Sequence, residues 1–343
     1  MLQPIDQRYL SIDNDTRILA TAIAYDKNER PDETTFVTSD MALFHIANLF
    51  FGDENIEFYE PKPPKIYDGY EDIIMTDDEM ANFYSTPEIN HYNLFANEYL
   101  IVRNTQNEIV DKLCWTGFKY RNVNYSEMNS VQFGKIRAYK DDVYQAFAID
   151  SLYKNKITLL KGLPGSGKTT LALGYLFSLL EKGEIDKIII FCNTVATKDS
   201  AKLGYYPGSK DEKLLDSQIG NILSSKLGSS MMVEKLINDD KLVLLPTADI
   251  RGYDTTNMRA GVYMTEAQNM SVQLMKLALQ RIGEDSVCII DGDVQAQVDL
   301  PEFEGYNNGM LRVSEVFRGE DIYGEINLKT IHRSKIANIA QNM

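Results

Sequence analysis

Residues 162–169 read Gly-Leu-Pro-Gly-Ser-Gly-Lys-Thr and match the phosphate-loop pattern G-x-x-x-x-G-K-[ST] at every fixed position. Glycines allow backbone N–H groups to close around phosphate oxygens, because a side chain there would block the approach. The pattern predicts that Lys168 reaches the β- and γ-phosphates of a nucleoside triphosphate and that the Thr169 hydroxyl ligates Mg²⁺. The predicted phosphate-binding residues are Gly162, Gly165, Ser166, Gly167, Lys168, Thr169 and Thr170.

The elements that position this loop can be inferred from its flanks. An apolar run at 157–160 predicts a strand that enters the loop. Leucines at 171, 173, 176 and 180 predict a helix that leaves it and stops at Gly183. The helix N-terminus would add partial positive charge at the phosphates. A glycine-rich turn that matches by chance is the alternative, and the strand and helix on either side argue against it.

A second polar cluster follows a second apolar run. Residues 261–264 are apolar and Thr265-Glu266-Ala267-Gln268-Asn269 come directly after them. Parallel sheets present their sites at the carboxyl ends of the strands. Glu266 is therefore a candidate for polarising an attacking water, and Gln268 for sensing a γ-phosphate. Together with Lys168 they are candidate catalytic residues.

Residues 140–343 resemble the PhoH-like ATPases, a RecA-type family related to superfamily 1 helicases. Seven short segments carry the resemblance, in the family's order and spacing. They are residues 162–169, 203–208, 251–252, 266–269, 280–283, 299–301 and 332–333. The resemblance implies an α/β, RecA-like P-loop NTPase fold with a parallel sheet, ATP and Mg²⁺ as cofactors, and action on RNA.

The chain departs from the family at the metal side. The family usually has an aspartate where this chain has Thr265. A threonine hydroxyl is a poor substitute for a carboxylate in holding Mg²⁺, so either hydrolysis is slow or Mg²⁺ rests on Thr169 and a nearby acid such as Asp293. The family's following glutamine motif is stretched here, and Gln297 keeps the expected spacing to Asp299 as a candidate nucleotide contact.

Two further residues lie where related ATPases place nucleotide contacts. Gln145, 17 positions before Gly162, matches an adenine-reading glutamine, and a plain surface residue is the alternative. Arg333 matches the family's catalytic arginine finger, and a surface cation is the alternative. Residues 140–343 suffice for one RecA-type domain and not two. The resemblance therefore implies an oligomeric ring, a homo-oligomer in which Arg333 acts on a neighbouring subunit.

The N-terminal residues are similar to the latter half of a PIN-type ribonuclease domain, through Asp13, Asp15 and the segment 38–40. Such nucleases gather several carboxylates around Mg²⁺ or Mn²⁺ to activate water at an RNA phosphate. Asp15 and Asp40 are thus candidate metal ligands. The family's earlier acids have no counterpart, so we expect no nuclease activity from this chain. Helix capping by Asp13 or Asp15 and a turn at Asp40 are the alternative.

Four segments are predicted along the chain. They are a partial PIN-like α/β segment at 1–60, a proline-rich, acidic linker at 61–80, a small β-rich connector at 81–139 and the ATPase domain at 140–343. The first should contain helices at 17–23 and 42–51 and a strand at 35–38.

The connector and the ATPase domain differ in their strand patterns. Runs at 98–103 and 109–115 predict a hairpin in the connector, with its aromatic residues Tyr99, Trp115, Phe118 and Tyr120 in a core. In the ATPase domain, predicted strands alternate with helices, which indicates a parallel sheet covered on both faces. These strands are at 187–192, 241–245, 262–264 and 287–290.

The charge is unevenly distributed. Residues 1–150 hold 26 acids and 13 bases, and residues 151–343 hold 24 acids and 22 bases, in a chain of net charge −15. Phosphate binding normally shows a basic footprint, so the net charge at first argues against a nucleic-acid partner. The near-neutral second part leaves room for a local basic groove, and composition alone does not decide the question. Candidate contacts for single-stranded RNA are Lys198, Lys202, Tyr205, Tyr206, Lys210, Lys213, Arg251 and Arg259. A solvated loop face is the alternative.

Composition excludes two classes of protein. No apolar run approaches the length of a membrane span, so no membrane partner is expected. The three cysteines are too far apart for a zinc pattern, and their scarcity suits a reducing interior. A cytoplasmic location is predicted.

The leading interpretation is an RNA-directed, helicase-like ATPase whose partner PIN ribonuclease domain is incomplete. The alternative is an ATP-dependent switch or assembly module that hydrolyses weakly because of Thr265. Glu266, Gln268 and Arg333 argue against that alternative, since a pure binder needs neither a water-polarising acid nor an arginine finger. A small-molecule kinase accounts for neither the Glu266 cluster nor Arg333.

Overall fold

The computed structural model describes residues 14–28, 34–52, 54–59, 67–192, 218–293 and 307–332. The chain divides into two compact units, residues 1–65 and 66–343. Among the described residues, no helix is both long and apolar enough to cross a membrane.

The first unit is a small α/β arrangement. Its elements are helix α1 (Asn14–Asn28), strand β1 (Phe36–Thr38), helix α2 (Met41–Phe51) and strand β2 (Ile56–Phe58). The two strands pair in parallel, and both helices contribute to one apolar core. Its buried members are Leu19, Ile23, Phe36, Leu43 and Ala47. Both predicted helices and the predicted strand are confirmed.

The second unit begins with a β-rich connector. Its elements are β3 (Tyr70–Ile74), α3 (Asp77–Ser85), β4 (Tyr99–Arg103), β5 (Ile109–Trp115), β6 (Tyr120–Asn122), β7 (Glu127–Ser130) and β8 (Gly134–Arg137). Strands β3-β4-β5-β6 form one sheet and β7-β8 a separate pair. β4 and β5 pair antiparallel, so the predicted hairpin is confirmed.

The predicted linker is wrong over residues 67–80. Strand β3 pairs in parallel with β4, and its Tyr70 is buried. Three of the acids that suggested a linker, Asp77, Asp78 and Glu79, instead begin helix α3. Thr76 and Glu79 form a reciprocal capping box, and three acidic residues occupy the first turn, where negative charge complements the helix dipole.

The aromatic residues of the connector are core residues with one exception. Tyr99, Trp115 and Tyr120 are buried, and Trp115 packs edge-on against Tyr120. Phe118 is 84% exposed, so the core expectation is wrong for that residue. It lies in the turn between β5 and β6, where a side chain has no sheet face to cover.

The rest of the second unit is a parallel α/β sheet. Its helices are α4 (Val143–Lys154), α5 (Lys168–Lys182), α6 (Gln218–Leu227), α7 (Ser230–Asn238), α8 (Val272–Leu279) and α9 (Gly309–Phe317). Its strands are β9 (Ile157–Gly162), β10 (Lys187–Cys192), β11 (Leu242–Pro246), β12 (Ala260–Met264), β13 (Val287–Gly292) and β14 (Tyr323–Leu328). The order is β11-β10-β12-β13-β9-β14, with every neighbouring pair parallel.

Apolar side chains cover both faces of this sheet, as predicted. Successive strand residues point to opposite faces. Ile188 and Ile190 therefore pack in the core that includes residues of α4 and α5, whereas Ile189 packs in the core that includes residues of α8 and α9. All four predicted strands are present.

The connector is joined to the sheet by a buried ion pair. Arg121 of β6 pairs with Asp150 of α4 at 2.6 Å, and Tyr99 donates to the same carboxylate at 2.9 Å. The backbone N–H groups of Asn124 and Tyr125 also donate to it. A buried carboxylate with this many donors ties the connector tightly to helix α4.

Candidate nucleotide-binding site

The phosphate loop leaves the carboxyl end of β9 and enters the N-terminus of α5. Gly162, Gly165 and Gly167 have φ of +144°, +89° and +100°, a region that side chains other than glycine rarely adopt. A Cβ on Gly162 would also lie 2.6 Å from the carbonyl oxygen of Leu328. Thr169 and Thr170 lie in the first turn of α5. The predicted strand, loop and helix are confirmed as structure.

Two side chains of the loop, Lys168 and Ser166, have surroundings that bear on phosphate binding. The Lys168 ammonium donates to the carbonyl oxygens of Gly162 at 2.5 Å and Leu163 at 3.2 Å. It therefore folds over the loop that would hold the phosphates. Ser166 Oγ is buried and has no hydrogen-bond partner within the described part of the chain, so it can bond to a ligand at little cost.

Gln145 lies against the loop, so the surface alternative is wrong. Its side chain is 6% exposed, Nε2 donates to the Ser166 carbonyl at 2.8 Å, and Oε1 accepts from the Tyr139 backbone N–H at 2.9 Å. The amide links the loop to the turn before α4. A role in reading adenine stays a prediction.

Residues 139–144, directly before Gln145, line a cleft of about 550 Å³, which the sequence analysis did not predict. Tyr139 and His332 line it, and their ring centroids are 4.7 Å apart. His332 is held by two contacts, its backbone N–H to the Gly165 carbonyl at 3.0 Å and Nε2 to Asp142 at 2.7 Å. No local pattern marks these residues, because they meet only when the segment after β14 returns to the loop.

The polar cluster after β12 lies at the same edge of the sheet. Glu266 has φ of +53°, an unusual backbone conformation for a glutamate that often marks functional sites. Gln268 Nε2 donates to Glu266 Oε2 at 2.7 Å, and the Asp293 backbone N–H donates to Gln268 Oε1 at 3.2 Å. The amide of Gln268 therefore holds Glu266 against the end of β13.

Asp291 is the residue that sequence reasoning missed. It is 2% exposed, and its Oδ2 accepts from the Tyr263 hydroxyl at 2.7 Å and lies 3.5 Å from Thr169 Oγ1. Burial raises its pKa to about 6, opposed by the charge of Lys168 and by hydrogen bonds from Tyr263 and Thr265. The available signal was an acid at the end of an apolar strand, but Asp293 fitted the family motif better.

Several predicted residues lie outside the described residues and keep the status of predictions. They are Asp13, Gln297, Arg333 and the loop residues Lys198, Lys202, Tyr205, Tyr206, Lys210 and Lys213. Of the two described arginines proposed to contact RNA, Arg259 forms an exposed ion pair with Asp186 at 2.5 Å. The Arg251 carbonyl accepts from Arg281.

The acids of the first unit have helix-terminal positions. Asp40 is the N-cap of α2 and accepts from the Leu43 backbone N–H at 2.8 Å. Asp15 is exposed in the first turn of α1. Across the described ranges, no three His, Cys, Asp or Glu residues are grouped so as to hold a metal ion. A metal role for Asp15 and Asp40 stays a prediction.

A family model described as PhoH-like protein matches residues 138–343. That range is more than half of the chain and contains the phosphate loop, Glu266 and Asp291. The chain belongs to the PhoH-like proteins. Membership in this family of P-loop ATPases implies nucleoside-triphosphatase activity.

Individual PhoH relatives match different shares of the chain. It is 26% identical to protein PhoH2 of Bacillus subtilis over 372 aligned residues, covering 99% of this chain and 79% of PhoH2. It is 30% identical to PhoH2 of Thermobispora bispora over 58% of this chain and 45% of that protein. It is 33% identical to a PhoH-like protein of B. subtilis over 50% of this chain and 52% of that protein. The chain thus spans about half the length of the last two.

Two solved structures are distantly similar. The structure of C. elegans PCH-2 has 13% identity and a TM-score of 0.27, covering 71% of this chain and 57% of that chain. The structure of an isolated ATPase domain has 15% identity and a TM-score of 0.24, covering 46% of this chain and 66% of that chain. Scores this low say nothing about function, and membership of the PhoH-like proteins follows from the family match.

Proposed function

We propose that this PhoH-like chain binds ATP with Mg²⁺ and hydrolyses it on a RecA-like arrangement of strands. One observation carries the proposal: the ends of β9, β12 and β13 bring Lys168, Thr169, Glu266 and Asp291 to one edge of the sheet. A cation beside the phosphates, a hydroxyl for the metal and an acid for water are the parts that phosphoryl transfer to water requires.

The residues of the site fit both ATP and Mg²⁺. Positive-φ glycines leave the loop backbone open to phosphate oxygens, and the buried Ser166 Oγ supplies a further hydrogen-bonding group. The Thr169 hydroxyl would hold Mg²⁺ beside a carboxylate, a donor set of the kind this ion prefers. When bound, Mg²⁺ neutralises charge that develops on the β- and γ-phosphates.

The chain's own groups divide the work of hydrolysis. Lys168 holds the β- and γ-phosphates, and the N-terminus of α5 adds its dipole. Glu266, partly exposed at the strand end, accepts a hydrogen bond from the attacking water and polarises it. Gln268 holds Glu266 in place at 2.7 Å and senses the γ-phosphate. Arg333 completes the site from a neighbouring subunit.

The cleft beside Gln145 receives the base. It adjoins the loop through His332, which lines the cleft and whose backbone N–H donates to the Gly165 carbonyl. The aromatic rings of Tyr139 and His332 offer a surface on which a purine can stack. Substituting Tyr139 by alanine should weaken binding of ATP far more than binding of inorganic triphosphate.

We extend the proposal to single-stranded RNA as the partner and to a helicase-like ring of identical subunits. Support comes from the family resemblance and from the near-neutral balance of charge over residues 151–343, in contrast to the acidic first part. The similarity to PhoH2 extends over 99% of the chain, so it includes the segment that resembles part of a PIN domain. That segment would be a partner domain without nuclease activity of its own.

Steady-state ATP hydrolysis with Mg²⁺, with and without single-stranded RNA, tests the function. Lys168→Ala is the blank. We expect turnover that rises with RNA and vanishes in the variant. Turnover unaffected by RNA would remove the RNA proposal, and turnover that survives Lys168→Ala would remove the site.

The second candidate function is an ATP-dependent switch that hydrolyses poorly. Thr265, which contributes a hydroxyl where the family has a carboxylate, favours it. Tight ATP binding with negligible turnover in both conditions would select this function.

The ring is tested by the mass of the particle in solution. We expect the mass of an oligomer. We also expect turnover to fall when Arg333→Ala subunits are mixed with wild-type subunits. A monomer with full ATPase activity would contradict an arginine acting between subunits.

A further inference from the structure

The end of β12 supplies only a hydroxyl on the metal side. Thr265 follows the last strand residue and is 8% exposed, so it is enclosed at the sheet edge. Mg²⁺ in nucleotide sites is usually held through one or two protein carboxylates as well as phosphate oxygens. A carboxylate must therefore come from another element if this site holds Mg²⁺ firmly.

Strand order places Asp291 beside that hydroxyl. β12 and β13 pair in parallel with Met264 opposite Ile290, so the next positions along the two strands are Thr265 and Asp291. The Thr265 side chain is hydrogen-bonded to Asp291. On its other side β13 pairs with β9, with Asp291 opposite Leu160. Asp291 thus lies between the phosphate loop and the end of β12.

The carboxylate of Asp291 is aimed at the predicted metal side. Oδ2 lies 3.5 Å from Thr169 Oγ1, and Oδ1 accepts from the Glu266 backbone N–H at 3.3 Å. From the neighbouring strand β12, the Tyr263 hydroxyl donates to Oδ2 at 2.7 Å. With 2% of the residue exposed, these contacts leave it little freedom to turn away.

We propose that Asp291 supplies, from β13, the metal-side carboxylate that Thr265 does not provide on β12, and that it holds Mg²⁺ of Mg²⁺·ATP together with Thr169. Thr265 and Tyr263 are then positioning residues that act through Asp291. This inference rests on the proposed ATP site and assigns its metal side to a residue outside the family motif. It also removes the reason for expecting slow hydrolysis.

Asp293 is the competing acid. It is equally buried and lies two residues further along the chain. Its backbone N–H bonds to Gln268, which places it beside the water-polarising pair, whereas Asp291 Oδ2 lies 3.5 Å from Thr169 Oγ1. Isosteric changes at the two positions therefore discriminate between them.

The experiment measures binding of a fluorescent ATP analogue to the full chain in excess Mg²⁺ and in EDTA. In Asp291→Asn we expect the affinity gained from Mg²⁺ to fall about 10- to 100-fold. Affinity in EDTA should stay equal or rise, because a negative charge near the phosphates is removed. The electron paramagnetic resonance spectrum of Mn²⁺·ADP on the protein should change in the same variant, as a readout independent of turnover.

An exchange variant tests the proposal by a gain of affinity, because a loss of affinity also follows from damage to the fold. Thr265→Asp combined with Asp291→Thr returns the carboxylate to β12, and we expect it to recover most of the affinity gained from Mg²⁺. Circular dichroism checks the fold of each variant. Should Asp291→Asn fail to fold, the exchange variant decides, because failure of a folded exchange variant to gain affinity from Mg²⁺ would contradict the proposal.

The remaining outcomes separate the two levels of inference. If Asp291→Asn keeps the full Mg²⁺ effect, or if Asp293→Asn loses it instead, Asp291 is not the metal-side carboxylate and the ATP site stands. If the wild-type chain binds the analogue in neither condition, the ATP site itself fails and this inference fails with it. Lys168→Ala, which should weaken binding in both Mg²⁺ and EDTA, marks the ATP site alone.

Discussion

At the scale of single residues, a buried ion pair joins β9, the strand that enters the phosphate loop, to its neighbour β14. Lys161 of β9, next to Gly162, pairs with Glu325 of β14, and both are 2% exposed. Ser314 and Tyr323 donate to the same carboxylate at 2.8 Å each. A buried ion pair with further hydrogen bonds adds little net stability, but removing one partner leaves an uncompensated charge.

The first prediction concerns this pair. Lys161→Met should lower the free energy of unfolding by about 3–5 kcal/mol, because it strands the Glu325 carboxylate in the core. Adding Glu325→Gln, which removes the charge and keeps one oxygen acceptor for one of the two hydroxyls of Ser314 and Tyr323, should restore part of the loss. Urea unfolding of the two variants measures the difference. A double variant less stable than Lys161→Met would contradict the argument.

A second buried acid makes stability depend on pH. Glu98 is 4% exposed and accepts from the Phe95 backbone N–H at 2.7 Å. Burial raises its pKa from 4.5 to about 7, opposed by that hydrogen bond and by one from Tyr67. The folded state therefore holds a proton that the unfolded state has released between these two values. Its stabilising contribution is complete below 4.5 and is lost as pH rises through 7.

The second prediction follows from that sign. Glu98→Gln should leave stability unchanged near pH 4.5 and raise it relative to the wild type at about pH 8. The difference should be on the order of 3 kcal/mol, since one pKa unit corresponds to about 1.4 kcal/mol. Unfolding by urea at the two pH values measures it. An equal difference in stability between variant and wild type at the two pH values would show that the pKa of Glu98 is not raised.

At the scale of elements, the end of β13 depends on a close approach. A Cβ on Gly292 would lie 2.3 Å from Gln268 Oε1 and 2.5 Å from Met310 Sδ. The same amide oxygen accepts from Asp293, and the Nε2 of that amide holds Glu266. Glycine at this position therefore lets the cluster after β12 pack against β13.

The third prediction is that Gly292→Ala displaces Gln268 and with it Glu266. Because the group proposed to polarise water moves while the phosphate loop does not, kcat for ATP should fall about 100-fold with ATP affinity little changed. Gly261→Ala is the matched control. The atoms nearest to a Cβ at Gly261 belong to the apolar side chains of Leu176 and Ile185, so the variant should be less stable and keep its kcat. Equal kcat values for the two variants would contradict this account.

At the scale of the whole molecule, the connector belongs with the sheet. The contact-based division groups residues 66–343 as one unit, although the family match begins at residue 138. Asp150 of α4 takes its donors from Tyr99, Arg121, Asn124 and Tyr125. The core beneath α4 includes Tyr99 and other residues of the connector.

The fourth prediction contrasts two shortened chains. Residues 66–343 should fold and bind ATP within about threefold of the full chain, because every described residue of the site lies in that unit. Residues 138–343 should aggregate or unfold, because Asp150 loses its donors and apolar core is exposed. Thermal unfolding and binding of the fluorescent ATP analogue measure both. A stable 138–343 fragment would contradict the role given to the connector.

Much of the fold could be predicted because its signals are local. The phosphate loop, the strand before it and the helix after it lie within one stretch of chain, and alternation of apolar strands with helices indicates a parallel sheet. The acidic run at 68–79 misled because a capping box and a helix's first turn have the same composition as a linker.

By itself the sequence determined the phosphate loop with its strand and helix, and the polar cluster at the end of a second strand. From these it predicts which lysine would meet the phosphates, which hydroxyl would hold Mg²⁺ and which acid would polarise water. Tertiary structure alone decided that Asp291 faces Thr169, that Gln145 links two segments and that Tyr139 meets His332. For Asp291 the physical reason is strand order. β13 lies between β9 and β12, so Asp291 and Thr169 become neighbours although more than a hundred positions separate them along the chain, and no periodicity within one segment encodes that pairing.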